Sequence, residues 1–365
     1  MCIPDEITTP EVMIDVDVLD RNIARMAAAT RARGVKLRPH AKTHKILEVA
    51  ARQLAAGAVG LTVATIGEAE VFANGGVKDI FIAYPLWVTQ GQAERLRRLS
   101  AQARITVGVD SAESAAFMGQ NLGTDAGNIA VRVEIDSGHH RSGVHPDEAA
   151  GVARAAADAG LEVVGVFTFP GHSYAPGMPA AAARQEDEAL IRAATRMAAE
   201  GFNVSEISGG STPTALVGGD TAATELRPGV YVFGDAQQLE LERCTPESIA
   251  LTVASTVVSH HRTGPGEPGR FIMDAGSKIL GSDRAAWASG YGRLLDYPGA
   301  RITSLSEHHA TVEWPDGTPM PALGRRLRVV PNHVCLTINL VDEASLVSGG
   351  VFTGRWTVAA RGKNT

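Results

Sequence analysis

Short β-branched runs alternate with longer amphipathic stretches from about residue 10 to 235. The strand-like runs stand at 35–38, 60–64, 79–83, 105–110 and 129–135, with three more at 161–167, 204–208 and, weaker, 224–227. Between them apolar positions fall at helical spacing. Leu19, Ile23 and Met26 mark a helix over 19–33, with Asp17 as its expected N-cap, and further helices are predicted at 46–56, 92–99 and 179–199.

Eight mostly apolar strands, each followed by a helix, predict a parallel sheet closed into a (β/α)8 TIM-type barrel. The rival, an open doubly wound sheet, often carries a glycine fingerprint after its first strand, and no G-x-G-x-x-G stands there. After about residue 245 the pattern changes. Strands are predicted at 250–259, 270–273, 311–314, 327–330, 333–340 and 351–359, helical stretches are scarce, and turn residues gather in Gly264-Pro265-Gly266-Glu267-Pro268-Gly269. The expected division is a barrel over 17–242 and a β-rich domain over 243–365. The opening run 11–16 suits either and is assigned, with residues 1–16, to the second.

The 365 residues exceed one ordinary domain, and 44% hydrophobic against 20% charged residues is the profile of a chain with a large core. A net charge of -6 argues against nucleic-acid and anionic-membrane partners. The one basic run, Arg325-Arg326-Leu327-Arg328, is expected on the solvated surface. No run reaches the roughly 18 apolar residues of a membrane span. The start, Met1-Cys2-Ile3-Pro4-Asp5-Glu6, lacks signal-peptide character, and three scattered cysteines (Cys2, Cys244, Cys335) make no disulfide framework. The expected setting is cytoplasmic, with reduced thiols.

Barrel enzymes build their sites at the C-terminal ends of the strands. Arg38-Pro39-His40-Ala41-Lys42-Thr43-His44-Lys45 follows the first run. There Lys42 is either a desolvated amine fit for imine chemistry or an ordinary surface lysine opening a helix. Asp136-Ser137-Gly138-His139-His140-Arg141-Ser142-Gly143 follows the fifth run, dense in groups that bind anions or phenolate oxygens. His172 and Tyr174, after the sixth, offer proton transfer or a buried structural hydrogen bond. Gly209-Gly210-Ser211-Thr212-Pro213, after the seventh, and Arg227-Pro228-Gly229-Val230-Tyr231, after the eighth, could together cradle a phosphate. On the predicted strand 333–340, His333 and Cys335 would face one side and could share a metal ion. Of the other histidine pairs, His260-His261 reads as structural or exposed, and His308-His309 stays open.

These motifs, with Glu134-Ile135-Asp136, Asp274-Ala275-Gly276-Ser277-Lys278 and Pro331-Asn332-His333-Val334-Cys335, occur in one order along nearly the whole chain. Singly each is weak, but seven in register are specific. Together they resemble the fold-type III pyridoxal-phosphate enzymes, in the branch of D-serine dehydratase, D-threonine aldolase and D-threo-3-hydroxyaspartate dehydratase, whose barrel is like the alanine racemase N-terminal domain. The resemblance implies that Lys42 holds pyridoxal 5'-phosphate as a Schiff base. Gly210, Ser211, Thr212, Gly229 and Tyr231 would hold the phosphate, with Arg141 and Tyr174 also at the cofactor. His333 and Cys335 would bind a divalent metal, zinc or else manganese or magnesium. His172 and Tyr174 join Lys42 as catalytic candidates, His172 as a base or as the residue orienting metal-bound water. The substrate would be a D-β-hydroxy amino acid, and a homodimer with a shared active site is implied.

A dehydratase would yield an oxo acid and ammonia, and an aldolase glycine and an aldehyde. Cysteine at 335 leans towards dehydratase, since the aldolases tend to carry aspartate there. His308 stands where the family often has glutamate. An amino-acid racemase would need no metal pair, and a non-catalytic carrier of this fold would be barrel-only.

Overall fold

The computed structural model describes residues 3–261, 269–315 and 319–365, so Cys2 and most of the turn-rich run 264–269 lie outside the described residues. The chain forms two compact units. One comprises Arg25–Lys42, Val49–Gly229 and Gly362–Thr365, and the other Met1–Ala24, Thr43–Glu48 and Val230–Arg361. Set beside the expected 17–242 and 243–365, residues 17–24, Thr43–Glu48 and residues 230–242 lie in the second unit, and the last four residues lie in the first.

The strands, in chain order, begin with β1 (Glu11–Asp15), which belongs to the second unit. The first unit carries β2 (Lys36–Leu37), β3 (Leu61–Val63), β4 (Asp79–Pro85), β5 (Arg104–Val109), β6 (Ile129–Glu134), β7 (Glu162–Phe167), β8 (Glu206–Gly209) and β9 (Glu225–Leu226). They pair in parallel in the order β2-β9-β8-β7-β6-β5-β4-β3. A parallel bridge between His40 and Thr62, with Thr62 N–H donating to Pro39 O at 2.9 Å, joins the two ends and closes the ring. All six residues of β6 are buried, because one face meets the barrel interior and the other the surrounding helices. Pro179–Ala199 shows the helical counterpart: Pro179 starts it, and Ala182, Glu186, Leu190, Ala193 and Met197 form its buried stripe.

The helix expected behind Asp17 begins at Val16, and its cap is Asp15, whose Oδ1 accepts from Val18 N at 3.0 Å. The Asp17 carboxylate instead accepts from Ser348 Oγ and Gly349 N, at 2.9 and 2.8 Å.

The barrel interior departs from the expected apolar filling. Arg132 is fully buried, and its Nη1 lies 2.5 Å from Glu225 Oε1 and its Nη2 2.6 Å from Glu206 Oε2. Arg38 bridges Glu225 and Asp79, at 2.8 and 2.7 Å, and Arg104 reaches Glu206 at 2.9 Å. Asp79, Arg104, Glu206 and Glu225 each begin a strand, so this ionic layer sits at the end of the barrel opposite the catalytic loops. Gly60 is required beside it, because a Cβ there would lie 2.5 Å from Arg38 Nη1.

In the second unit β1 is joined by β10 (Leu251–His261), β11 (Gly269–Met273), β12 (Arg293–Leu294), β13 (Arg301–Leu305), β14 (Ala310–Trp314), β15 (Arg326–Val330), β16 (Glu343–Ser348) and β17 (Val351–Thr357). The order is β13-β14-β11-β10-β1-β16-β17, with β15 on β10 and β12 on β15. Among the described residues of this unit only the β1–β16 pair is parallel. Strands β12, β13 and β16 were not expected. The predicted strand 333–340 is instead the helix Val334–Asn339. Val334, Leu336, Ile338 and Leu340 alternate as in a strand, but Val334, Thr337 and Ile338 are the buried set, spaced as in a helix. Arg326 and Arg328 are not simply solvated: Arg326 donates to the backbone oxygens of Ile3, Pro4 and Ile7, and Arg328 pairs with Asp296.

Arg132 and Arg38 pull the Glu225 carboxyl down to about 2, although burial alone would raise it. Glu225→Gln leaves both guanidinium groups short of a counter-charge and should cost about 3–5 kcal/mol in urea unfolding at pH 7. In the wild type this stabilisation is complete above the ordinary carboxyl pKa of 4.5 and is lost as pH falls towards about 2. The difference between the two proteins should shrink over that window.

Candidate active site

At the C-terminal ends of the barrel strands the loops converge on one side chain that sequence reading did not single out, Phe169. Lys42, in the turn Ala41–Thr43, places Nζ 5.7 Å from the centre of its ring. The Arg141 guanidinium lies 4.9 Å from the same centre. The His139 ring meets it edge-on at 5.6 Å, and Tyr174 lies tilted at 6.3 Å. Lys42 is half-buried and Lys45 buried, so neither is the exposed surface lysine that the alternative reading required. The phenyl ring is thus within cation–π reach of both side chains.

The glycine-rich loop follows β8. Gly210 has φ +82°, and a Cβ there would lie 2.9 Å from Leu226 Cδ2, so only glycine fits without displacing its neighbour. Gly210 N–H donates to Glu186 Oε1, and Ser211 N–H to Thr214 Oγ1 at 2.9 Å. Ser211 Oγ lies 2.9 Å from Ser173 Oγ, tying this loop to the one that carries His172. Thr212 opens the short helix Thr212–Ala215 behind Ser211 as N-cap. Gly229 ends its segment of the barrel unit, and Tyr231 is buried in the turn Val230–Val232 of the other unit. The glycine-rich turn with the hydroxyls of Ser211 and Thr212, on the same barrel end as a half-buried lysine, has the chemistry to suit a phosphate-bearing aldehyde cofactor.

His172 Nε2 lies 2.9 Å from Gln185 Oε1. With that nitrogen donating, the lone pair stays on Nδ1, which is buried and without a hydrogen-bond partner. Glu134, at the end of β6, accepts from Ser142 Oγ at 3.0 Å through Oε1, while its Oε2 is buried and unpartnered. Burial raises its pKa. Burial also works to raise Asp136, but donation from His140 N, Gly138 N and the His140 ring prevails and lowers it. Burial, with Arg141 nearby, lowers the pKa of His139.

In the strand-rich unit His333 and Cys335 do come together, by a route other than strand alternation. His333 is the N-cap of Val334–Asn339, and Cys335 lies in its first turn. His333 Nδ1 is 2.8 Å from Asp283 Oδ2, which leaves Nε2 as the nitrogen open to a metal. Cys335 first, then Asp283 and buried Asp235, hold the imidazole pKa above its ordinary value against the opposing effect of burial. Cys335 Sγ also lies 3.4 Å from Thr43 Oγ1. A carboxylate behind a histidine ligand fixes its tautomer and orientation, and a soft thiolate beside it suits a divalent ion such as zinc. Among the described residues no group of three or more His, Cys, Asp and Glu side chains is assembled as a metal site, so this pair would leave positions for other ligands. Asp283 was not expected, and only the paired structure reveals it.

Residues 14–237 match the family model of the alanine racemase N-terminal domain, and residues 250–347 a serine dehydratase domain model. The D-threo-3-hydroxyaspartate dehydratase of Delftia sp. (strain HT23) is 38% identical over 354 residues, covering 90% of this chain and 91% of that enzyme. The chain belongs to the D-serine dehydratase and D-threonine aldolase family of fold-type III pyridoxal-phosphate enzymes. As a member it is a pyridoxal-phosphate-dependent lyase. The D-threonine aldolase of Arthrobacter sp is 32% identical over 367 residues, covering 98% of this chain and 93% of that enzyme. Two solved mutants of D-threo-3-hydroxyaspartate dehydratase each match with a TM-score of 0.86 and 34% identity over 96% of this chain, covering 95% and 97% of theirs. One replaces a histidine by alanine. The other replaces a cysteine two positions later and is in a metal-free form. Among the described residues no helix is long and apolar enough to cross a membrane.

Phe169→Leu keeps the apolar volume but removes the ring from two cations. We expect a loss of about 0.5–2 kcal/mol in urea unfolding of the cofactor-free chain. The loss should be smaller in an Arg141→Gln background, where one of the two cations is already absent.

Proposed function

We propose that this lyase is a dehydratase of D-β-hydroxy amino acids such as D-serine or D-threo-3-hydroxyaspartate, releasing an oxo acid and ammonia. The observation that carries the reading is the His333–Cys335 pair with Asp283 behind it. Its spacing equals that of the histidine and cysteine mutated in the dehydratase with the same fold. The greater identity to the dehydratase, 38% against 32% for the aldolase, points the same way.

In this reading Lys42 holds pyridoxal phosphate, and Ser211 and Thr212, shaped by Gly210 and with Gly229 and Tyr231, hold its phosphate. Arg141 and Tyr174 would complete the cofactor site. The bound cofactor supplies an electron sink for charge developing at the substrate's α-carbon. A divalent ion on His333 and Cys335 supplies Lewis acidity towards the substrate's hydroxyl. Lys42 Nζ takes the α-proton. His172 Nδ1, with its lone pair fixed by Gln185, is the second base and can hold a proton or orient a water. A homodimer with a shared active site and a cytoplasmic setting, where Cys335 stays reduced, belong to the same reading.

Product analysis tests it. The chain, loaded with pyridoxal phosphate and a divalent metal, is given D-serine, D-threonine and D-threo-3-hydroxyaspartate separately. Oxo acid plus ammonia, lost on chelation, is the expected result, whereas glycine plus an aldehyde would assign the aldolase activity instead. Cys335→Ala should lower bound metal and turnover together, each at least about tenfold, since a thiolate ligand is replaced by none. Unchanged metal content would remove Cys335 from the site. Borohydride reduction should fix the cofactor's mass on the peptide containing Lys42, and Lys42→Ala should abolish that adduct.

A further inference from the structure

Glu186 is a buried acid for which the chemistry above has no use. It lies on the inner stripe of Pro179–Ala199, 5% exposed, and points at the back of the glycine-rich loop. Its Oε1 accepts the Gly210 N–H, and its Oε2 lies 3.4 Å from the Thr214 hydroxyl. The contact is close enough that a Cβ on Gly209 would lie 2.4 Å from Oε1. Among the described residues Glu186 has no ion-pair partner within salt-bridge distance, although Arg227 lies in its surroundings. Two consequences follow. The Gly210 N–H is committed to the carboxyl, so Gly210 serves a phosphate through its backbone shape rather than as a donor. A phosphate dianion received on this loop would also stand across one peptide from a buried carboxylate.

Resting on the reading that this loop receives the cofactor's phosphate, we propose that Glu186 is its positioning residue, holding the loop from behind and taking up a proton when the dianion binds. The physical drive is like-charge repulsion in a poorly hydrated site, where two neighbouring anions cannot both stay ionised cheaply. Protonation costs the loop nothing in geometry, since a neutral carboxyl still accepts from Gly210 and can donate to Thr214. The charged groups facing Glu186 are known. Arg227 approaches from the end of β9. Arg33, Arg184, Asp187 and Asp220 line with it a cavity of about 170 Å³ on the outer side. Asp187 is bonded to Thr221 Oγ1 and Ala222 N, and Arg33 donates to Ala215 O and Gly219 O, so neither neutralises Glu186 directly. Burial already holds the Glu186 carboxyl up at about 7. A modest further push therefore changes its charge at physiological pH.

The test uses the cofactor-free full chain and pyridoxamine 5'-phosphate, which carries the phosphate but cannot condense with Lys42. Calorimetry in two buffers of different ionisation enthalpy, from pH 6.5 to 8.5, gives both affinity and protons taken up. Above pH 7 the phosphate itself is a dianion, its second pKa being about 6. The wild type should take up roughly half a proton or more near pH 8 in excess of Glu186→Gln, and its affinity should fall about tenfold across the range while that of the variant stays flat within about twofold. Glu186→Ala, which leaves Gly210 N–H without its acceptor, should bind about tenfold more weakly than Glu186→Gln at every pH. Equal proton counts and parallel pH profiles in wild type and Glu186→Gln overturn the role of Glu186 and leave the phosphate-loop reading standing. No saturable binding of pyridoxamine 5'-phosphate to the wild type overturns both.

Discussion

Arg132 is fully enclosed within the barrel, and a guanidinium stranded there would be prohibitively costly without anions around it. Glu206 and Glu225 supply them, and Arg38, Arg104 and Asp79 complete the layer. A buried ionic layer of this kind is weak evidence for stability, since well-packed apolar residues often do as well. Its value is positional. The groups come from β4, β5, β6, β8 and β9 and from the residue after β2, so sliding any one strand would pull apart ion pairs shared across several strands. Phe81 caps the arrangement, its ring 4.3 Å from the Arg132 guanidinium carbon. The barrel's register is thus fixed at the end away from the chemistry, and the other end is free to be built from loops.

A continuous set of hydrogen bonds carries that order towards the mouth. Glu225 Oε1 accepts from Ser208 Oγ at 2.7 Å, and Ser208 Oγ in turn accepts from Arg227 Nη1 at 3.0 Å. Arg227 also donates to Thr168 O, and Thr168 Oγ1 donates to Ile135 O at 2.6 Å while lying 2.8 Å from Ser137 Oγ. Thr168 immediately precedes Phe169, around which Lys42, Arg141, His139 and Tyr174 gather. Burial pushes Arg227 down to about 10 against the support of Glu225, which leaves it charged at neutral pH and able to hold this column together. The aromatic centre of the mouth is therefore anchored by polar groups that begin at the ionic layer. This also explains why no single strand end suffices to recognise the site.

Most of the eight strands were legible because their runs are rich in apolar residues, the mark of burial on both faces, and the helices because their apolar spacing is distinct. Lys42, Gly210, Ser211, His172 and Arg141 were legible because they follow those runs directly. The ionic layer was not, since Glu206, Glu225 and Asp79 look in the sequence like ordinary polar strand starts, and only closure of the ring turns them inward. Glu186 was hidden for a related reason: an acid inside an amphipathic helix reads as solvated until its stripe is seen to pass beneath Gly210. Phe169 was not singled out, since a phenylalanine just past an apolar run carries no chemical signal of its own. Strands β12, β13 and β16 were missed because one to three apolar residues among polar ones carry little period.

His333 and Cys335 show how a right pairing can rest on the wrong local geometry. Strand alternation would bring residues two apart to one face, whereas here a helix N-cap and a residue of the first turn meet. What makes the difference is tertiary. Val334 N–H is 3.4 Å from Asp235 Oδ2, Thr337 Oγ1 donates to Leu280 O at 3.0 Å, and Asp283 holds the imidazole. Asp235 also caps its own helix, Ala236–Glu240, by accepting from Gln238 N at 2.8 Å. One buried carboxyl, pushed up to about 6 by desolvation, therefore ties the start of two helices together. The alternating hydrophobics of 334–340 cannot outweigh those anchors, because a strand would leave Asp235 without Val334 and turn Thr337 away from Leu280. The pair is a product of helix-start chemistry, and the placing of its side chains is set by Asp283 and Asp235 rather than by the two residues themselves.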